Sequence, residues 1–407
     1  MNILPLAMRN VKRNWHRTLV TVGSMAFAGM IMILYVGLME GMVQGGKHHT
    51  LSVSMGELQV YAKGYRDDPD MYKRIPDSQA VVNRLNEKGF HATQRLHGYG
   101  LAASGTSSAG VQIRGVHLES ELRVTTAHNY LLSGEWLAHN DPKGIVIGRK
   151  LARTLSAKIG DEVIILSQAT DGSMANDLYR LRGVLKSISE DIDRAGFFML
   201  DTSFRDLFIL PTGSHEIVIM RNGENQKIED VTTELSELLP NYEVINWRIL
   251  SPILSQILDL TDASIYILLI ITYIAVAILV LNAMLMSVFE RIREFGIMKA
   301  IGFGPMQLML LIYAETLIQV VSGVVLALLA GIPLTYYFQV EGIDLTQLIS
   351  GGITFGGMAF DPIWRAELTE RAIVSPIVTM VVISCLAVIY PAIKAAIIRP
   401  VSAIHHQ

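Results

Sequence analysis

The segment of this chain that comes nearest to a catalytic pattern is GMVQGGKH, residues 41–48. Its glycines and lysine resemble a loop that wraps phosphate groups, but His48 stands where Ser or Thr would be needed to bind magnesium. The run before it is not strand-like, as such a loop requires. The segment therefore does not predict a nucleotide site, and any ATP-driven role would need another chain.

The remaining reactive side chains lack the spacing that catalysis or metal binding needs. His48 and His49 are adjacent, as are His405 and His406, and neighbouring residues on a helix point about 100° apart. No Gly-x-Ser-x-Gly, Cys-x-x-Cys or His-Glu-x-x-His motif occurs in the sequence. We therefore predict no enzyme, no metal site and no cofactor in this chain.

A short amphipathic helix is predicted within ERIREFGIMKAIGFGP, residues 290–305. Apolar and charged residues recur there at helical spacing, and two glycines followed by a proline end the helix. Such a helix can lie on a lipid surface or dock into a groove of another protein. Its glutamates favour the protein groove, because acidic side chains gain nothing at anionic headgroups.

Glu315 is the one acidic residue in the apolar stretch 300–340. A carboxylate at the centre of a bilayer costs roughly 2.5 to 3.5 kcal/mol. Glu315 lies about 10 residues beyond Pro305, or about 15 Å of helix. We therefore expect it near the inner interface, paired with a neighbouring helix or with a basic residue of the preceding segment, and in a structural or coupling role more than in a proton relay.

The composition places much of the chain in a membrane, because 51% of its residues are hydrophobic and only 17% are charged. Uncharged runs long enough to cross a bilayer, about 20 residues, predict four transmembrane helices. The predicted helices cover residues 18–39, 263–289, 305–340 and 372–393, and the third extends the uncharged run 316–340 back to Pro305. The first run is too long for the core of a signal peptide and is interpreted as a permanent anchor.

Lysines and arginines beside these runs predict the orientation, since they concentrate on the cytoplasmic side. They are Arg9, Lys12, Arg13 and Arg17 before the first run, Arg291, Arg293 and Lys299 after the second, and Lys394 and Arg399 after the fourth. We predict a cytoplasmic amphipathic helix over 1–17, a cytoplasmic helix over 290–304 and a cytoplasmic tail over 394–407. The mostly acidic loop 341–371 and the long segment 40–262 would then lie outside the cytoplasm. The chain as a whole is predicted in the bacterial inner (cytoplasmic) membrane.

The segment 40–262 is long enough to be a folded domain. Alternating or β-branched runs such as GELQVYA, VQIRGVHL, GIVIG, DEVIIL and HEIVIM predict strands, and DSQAVVNRLNEKG, GRKLARTLSAKIGD and VTTELSELLP predict helices. The fold class is therefore a membrane protein of four transmembrane α-helices with a large extracytoplasmic α+β domain inserted between the first two, in two subdomains and with a helical stalk. The single cysteine, Cys385, lies in the fourth run, so this domain has no disulfides.

A hairpin is predicted where ATDGSMANDL lies between two strand-like runs, because Asp171-Gly172 is a turn signal. Two interpretations stay open, a plain hairpin and a tip that binds a partner. The candidate tip residues are Asp171, Gly172, Ser173 and Asn176.

Several motifs resemble those of one family of membrane proteins. LAMRNVKRNWHRTLVT near the N-terminus, ERIREFGIMKAIGFGPMQLMLLIYAETLI with its Glu315, and YPAIKAAIIRPVSAI near the end resemble the membrane-proximal motifs of FtsX-like ABC transporter permeases. YLLSGEWLAHNDPKGIVIGRKLARTLSAKIGDEVIIL resembles the MacB-type core domain, and GELQVYAKGYRDDP resembles its start in LolE-like members. The likeness runs through the whole chain in order and is nearest to the LolC and LolE lipoprotein-releasing permeases.

The resemblance implies that the helix of residues 290–304 couples the chain to a separate cytoplasmic ABC ATPase dimer, which would bind ATP and magnesium. The coupling residues would be Arg291, Arg293, Glu294, Phe295, Met298 and Lys299. A second permease copy or a paralogue would complete the complex, and the hairpin lies where LolC-type permeases bind a periplasmic carrier. Nothing in the sequence predicts a nucleic-acid partner.

The resemblance leaves three functions open. Extraction of lipoproteins or lipid-like cargo from the membrane is favoured. MacB-like export of peptides or drugs with an adaptor is a second reading. FtsX-like control of a cell-wall hydrolase, without transport, is the third.

Overall fold

The computed structural model describes residues 3–223, 226–344, 353–355, 358–360 and 363–397. The chain divides into two compact units. The helical unit comprises Met1–Val43, Leu258–Leu345 and Ile363–Gln407, and the sheet unit comprises Gln44–Ile257 and Thr346–Pro362. Most of the predicted tail 394–407 and much of the predicted loop 341–371 lie outside the described residues.

The α-helices are numbered in chain order. They are α1 (Ile3–Arg13), α2 (Trp15–Thr50), α3 (Ser78–Glu87), α4 (Leu118–Val124), α5 (Arg149–Thr154), α6 (Glu190–Ala195), α7 (Asp201–Phe208), α8 (Ile228–Leu238), α9 (Trp247–Leu250), α10 (Pro252–Glu290), α11 (Ile292–Ala300), α12 (Pro305–Val340), α13 (Glu370–Ala387) and α14 (Ile389–Ile397). A π-helical turn, Leu51–Met55, continues α2.

The strands are also numbered in chain order. They are β1 (Leu58–Ala62), β2 (His91–Ser104), β3 (Ser107–Val116), β4 (Leu131–Gly134), β5 (Gly144–Ile147), β6 (Glu162–Gln168), β7 (Met174–Leu185), β8 (Gly196–Leu200), β9 (Glu216–Met220), β10 (Tyr242–Asn246), β11 (Ile343–Asp344), β12 (Ile353–Phe355), β13 (Met358–Phe360) and β14 (Ile363–Trp364).

Four stretches of helix are long and apolar enough to cross a membrane, which confirms the prediction of four apolar helices. They are Trp15–Met55, Pro252–Glu290, Pro305–Val340 and Glu370–Ile397. Three of them are longer than the predicted helices, and the difference is greatest for the first two. Helix α2 continues past residue 39 to Thr50, and α10 begins at Pro252, because the amphipathic sequences next to these runs keep helical spacing.

Small residues allow helices α2 and α12 to pack closely in the helical unit. A Cβ added at Gly29 would lie 2.7 Å from the Cβ of Ala327, and one added at Gly323 would lie 2.9 Å from the Cβ of Met25. Between membrane helices, where the hydrophobic effect is weak, close backbone approach increases the van der Waals contact that holds the helices together. The glycines therefore fix where these two helices cross.

The sheet unit is built on one sheet with the strand order β10-β1-β9-β2-β3-β8-β5-β7-β4, to which β6 pairs through β2 and β7. Adjacent strands are antiparallel except for β3 with β8 and β5 with β7. Each of the five runs predicted as strands forms one, as β1, β3, β5, β6 and β9, and the predicted helices form as α3, α5 and α8.

Both faces of this sheet are covered by buried apolar residues. The neighbouring residues Phe197 and Phe198 of β8 belong to different clusters, because successive strand residues point to opposite faces. One cluster contains Phe204 of α7, and against the other packs Trp136, whose ring lies 5.8 Å from that of Phe198.

Candidate functional site

The short helix α11 begins directly after a buried arginine. Arg291 is 5% exposed and occupies the N-cap position of the helix. Its Nη1 donates hydrogen bonds to both carboxylate oxygens of Glu315, at 3.0 and 3.2 Å, and its Nε donates to Glu294 at 2.9 Å. Its guanidinium also lies 5.0 Å from the centre of the Phe295 ring. One side chain thus connects the start of α11 to helix α12.

Glu315 is the buried centre of this cluster. Besides Arg291, it accepts a hydrogen bond of 2.6 Å from the Nδ2 of Asn10 in helix α1. The ion pair confirms the expectation that Glu315 is paired with a basic residue of the preceding segment. A buried carboxylate needs such partners, because an unpaired charge in an apolar interior is strongly destabilising. Three helical segments therefore meet at one carboxylate.

Two exposed glutamates extend the cluster to the N-terminal arginines. Glu294 accepts hydrogen bonds from Arg13 at 2.8 and 2.9 Å, and Glu290 accepts one from Arg17 at 2.6 Å. Burial raises the pKa of Glu294, but the hydrogen bonds from Arg13 and Arg291 outweigh burial and hold it below its usual value. These contacts add charge–charge links between α11, the end of α10 and the N-terminal helices. We call the connected residues the polar cluster: Asn10, Arg13, Arg17, Glu290, Arg291, Glu294 and Glu315.

The inward face of α11 corrects part of the sequence interpretation. Phe295, predicted as a docking residue, is only 1% exposed and belongs to the core of the helical unit, against which Met298 also packs. Lys299 donates a hydrogen bond to the carbonyl of Ala396 in α14. These side chains and Arg291 face the chain itself because Arg291 must reach Glu315.

A different set of side chains is exposed on α11, the turn after it and the start of α12. Arg293 is exposed, Ile297 is 45% exposed, and Ile301 and Met306 are 78% and 76% exposed. Gly302, with φ +106°, ends the helix between them. An apolar strip beside a positive charge therefore faces outward from the short helix.

The predicted hairpin forms between β6 and β7 in the sheet unit. Asp171 accepts a hydrogen bond from the backbone N–H of Ser173 at 2.9 Å, Gly172 has φ +82°, and Asn176 pairs with Leu166. Hydrogen bonds from the side chain and backbone of Ser173 lower the pKa of Asp171. The base of the turn is held to the end of α7, because Thr170 donates hydrogen bonds to backbone carbonyls there.

One face of the sheet beside this hairpin exposes apolar residues. Leu101 pairs with Leu166, and Ile164 pairs with Leu178, in the register of β2, β6 and β7. All four side chains are between 38% and 43% exposed. We call these four residues the hairpin patch. Exposed apolar patches of this kind mark interaction surfaces.

Sequence reasoning missed several members of the polar cluster. Arg13 and Arg17 were counted only as part of a basic flank, and Asn10 was not singled out. In the structure, Arg13 contacts Glu294, Arg17 contacts Glu290 and Asn10 contacts Glu315. The complementary charges of the two flanks were the available signal. A second cluster, in which Arg371 pairs with Glu40 and Asp262, was also missed.

Comparisons with known proteins agree with the motifs. The family described as MacB-like periplasmic core domain matches residues 18–238, and the family described as FtsX-like permease C-terminal matches residues 266–400. LolE, a lipoprotein-releasing system transmembrane protein of Haemophilus influenzae, is 22% identical over 322 residues, or 74% of this chain and 73% of LolE. An uncharacterized ABC transporter permease of Methanocaldococcus jannaschii is 24% identical over 208 residues, 49% of this chain and half of that permease.

Two solved structures align with about half of the chain. The periplasmic region of MacB from Actinobacillus actinomycetemcomitans aligns with a TM-score of 0.36 at 14% identity, over 50% of this chain and 94% of that structure. The extracellular domain of the noncanonic ABC-type transporter YknZ from Gram-positive bacteria aligns with a TM-score of 0.34 at 12% identity, over 47% of this chain and 99% of that structure.

Proposed function

We propose that this chain, which belongs to the FtsX-like and MacB-type family of ABC transporter permeases, is the membrane subunit of a complex driven by a separate ATPase. ATP and magnesium would be bound by that ATPase dimer, and a second permease copy or a paralogue would complete the assembly. The observation that carries the proposal is the buried contact of Arg291 with Glu315, supported by Asn10.

The polar cluster supports a mechanical mode of action. A force applied to α11 would reach α12 through the Arg291–Glu315 pair and α1 through Asn10. Separating a buried ion pair costs several kcal/mol, so these segments should move together when the ATPase closes. The motion would then pass along the long helices α2 and α10, whose chain continues into the sheet unit.

The exposed strip on α11 supports a contact with the ATPase. Ile297 and Ile301 offer apolar anchors and Arg293 offers a charge, which together suit a groove in a folded partner. The variant Ile297→Asp/Ile301→Asp should lose ATPase co-purification while the chain still inserts into the membrane. Leu122→Asp in the sheet unit is the control for a charge added at an exposed apolar position, since Leu122 is 42% exposed and Ile297 is 45% exposed. Unchanged ATPase recovery from the double variant would remove this docking surface.

The proposed orientation places the sheet unit outside the bacterial inner membrane and both termini in the cytoplasm. The chain has a single cysteine, Cys385, so a variant lacking it can carry one new cysteine at a time. Exposed positions suited to labelling are Ser173 in the hairpin and Arg9 in α1. An impermeant maleimide should label Ser173→Cys in intact cells and label Arg9→Cys only after lysis. The reverse pattern would invert the topology.

Lipoproteins or lipid-like molecules are the proposed cargo. The support is the similarity to LolE over most of both chains, together with the hairpin patch as a surface for a soluble carrier. The test is mass spectrometry of proteins and acylated peptides in the complex purified gently from its native membrane. Stoichiometric ATPase with acylated lipoproteins supports extraction. A bound adaptor or hydrolase without acylated material would instead favour MacB-like export or FtsX-like regulation.

A further inference from the structure

The sheet unit contains a cavity of about 590 Å³ whose lining residues all belong to that unit. Strands β1, β2, β3 and β9 contribute side chains to it, and so do the residues before α6 and those at the start of α10. Cavities of this size are typical of sites that bind small molecules. No contact described above for the polar cluster or the hairpin patch involves this cavity.

Most of the buried charges beside the cavity already have partners. Arg95 donates hydrogen bonds to both carboxylate oxygens of Glu121, at 2.5 and 3.1 Å. Glu216 contacts the Nε2 of His97 at 2.7 Å and accepts a hydrogen bond of 3.1 Å from the hydroxyl of Tyr61. Burial raises the pKa of Glu216, but His97 and the neighbouring arginines lower it to about 2. Glu216 is therefore ionised, and both carboxylates are engaged by hydrogen bonds.

Arg114 differs from these residues because it has no carboxylate partner among the residues that the structure describes. Its Nη2 donates a hydrogen bond of 3.2 Å to the Oε1 of Gln112, and its guanidinium lies 5.7 Å from the centre of the Phe198 ring. Its Nε is buried without a hydrogen-bond partner. Burial and the charge of Arg95 lower the pKa of Arg114, and the nearby charges of Glu216, Tyr61 and Glu121 offset only part of this. A half-buried guanidinium that forms no ion pair and has an unsatisfied Nε is suited to bind the anionic group of a ligand.

Two further carboxylates line the cavity, Glu190 and Asp191, and neither forms an ion pair with Arg114 among the described residues. Glu190 is already paired with Lys150 and Arg194, and Asp191 is exposed to solvent. Arg66, which is also exposed, adds a second positive charge to the lining.

The rest of the lining combines uncharged polar residues with aromatic and apolar ones. Tyr65 is buried and stacks on Tyr61 at 5.7 Å and on His215 at 5.6 Å, while Tyr99 of β2 is 58% exposed. Other apolar lining residues are Ile188, Ile192, Leu250 and Ile253. Such a surface can bind the hydrocarbon part of a ligand whose charge lies at Arg114.

We infer that this cavity binds an amphiphilic anion, with a phosphate or carboxylate group at Arg114 and an apolar part against Tyr99 and its apolar neighbours. The inference does not depend on coupling to an ATPase, so it can hold or fail separately from the proposed function. Phosphate and carboxylate share the bidentate recognition that a guanidinium provides.

The test is isothermal titration calorimetry of the full chain in nanodiscs of zwitterionic lipid, with empty nanodiscs as the blank. The probes are octyl phosphate, octanoate, inorganic phosphate and octanol. One of the two octyl anions should bind with one-to-one stoichiometry, at least tenfold more tightly than either inorganic phosphate or octanol. The tighter of the two identifies the headgroup chemistry.

Variants separate the headgroup contact from the apolar contact. Arg114→Gln should weaken binding of the octyl anion tenfold or more, Arg114→Lys should recover part of it, and Arg84→Gln, at an exposed arginine of α3, should change it less than twofold. Tyr99→Ser should weaken the octyl anion but not inorganic phosphate. Equal affinity in Arg114→Gln and the unaltered chain, with unchanged thermal unfolding, would overturn the inference, as would octanol binding as tightly as octyl phosphate.

Discussion

Substituting Glu315 by Gln tests whether the buried ion pair holds the short helix in place. The substitution keeps the size of the side chain and can still accept the hydrogen bond from Asn10. It removes the negative charge that neutralises Arg291, whose side chain is only 6% exposed. Glu294 would be left as the one carboxylate in contact with Arg291, and its own side chain is 45% exposed.

The expected cost follows from this loss of charge. Removing one partner of a buried ion pair typically costs about 3 to 5 kcal/mol, because it leaves an uncompensated charge. Glu294 offsets part of that, so we expect about 3 kcal/mol for Glu315→Gln. The same change at Glu290 breaks an exposed pair with Arg17 and should cost less than about 1 kcal/mol. Replacing both partners, as Arg291→Met/Glu315→Leu, should cost less than Glu315→Gln alone.

The assay is the free energy of unfolding of the purified chain in mixed micelles, measured by titration with a denaturing detergent. Glu290→Gln is the matched control, since it makes the same chemical change at an exposed site. Costs that are equal for Glu315→Gln and Glu290→Gln would refute the reasoning. The single variants Arg291→Met and Glu315→Leu complete the comparison. A cost of Arg291→Met/Glu315→Leu that equals the sum of these two single costs would also refute the reasoning, because residues in a shared ion pair must be coupled.

Three further predictions concern single positions. The Nδ1 of His215 accepts a hydrogen bond from the backbone N–H of His97. Burial and the charge of His97 lower the pKa of His215 to about 4. As the pH falls from 6.5 towards 4, the unfolded chain therefore binds a proton at this histidine that the folded chain does not bind. Stability should therefore fall by up to roughly 3 kcal/mol across that window, measured as thermal unfolding against pH, and His215→Gln should lack this slope. Gly41→Ala would place a Cβ 2.0 Å from the carbonyl oxygen of Arg365 and should lower the unfolding temperature, whereas Gly45→Ala on the same helix, with nothing within 4 Å, should not. Gly172→Ala should cost about 1 kcal/mol in the same measurement because its φ is +82°, while Gly110→Ala, with open space around it and no positive φ, should cost less.

Local pattern was enough to predict many of the elements. The uncharged runs predict the four apolar helices because crossing a bilayer demands length and hydrophobicity that few other structures need. The alternation in GELQVYA and VQIRGVHL predicts β1 and β3, and Asp171-Gly172 predicts the turn between β6 and β7. Each of these signals lies within a single stretch of sequence, so no distant contact is needed to read it.

The order of strands could not be predicted in this way. The neighbours of β1 are β9 and β10, which are more than 150 residues away in the chain. Such pairing depends on which faces become buried together, and short strands of similar composition do not encode that individually. The cavity at Arg114 depends on the same pairing, because β1, β2, β3 and β9 all line it.

The rotation of α11 about its axis shows how a distant contact overrides local pattern. Arg291, Phe295 and Met298 recur at helical spacing and form one face, while Ile297 and Ile301 form another, so apolar residues occur on both. Hydrophobicity alone therefore cannot say which face turns inward. The carboxylate of Glu315 determines which face is buried, because this buried charge must be paired and Arg291 is the cation that reaches it. Once Arg291 turns inward, Phe295 follows it one turn later into the core, and Ile297 and Ile301 are left as the surface that a partner can contact.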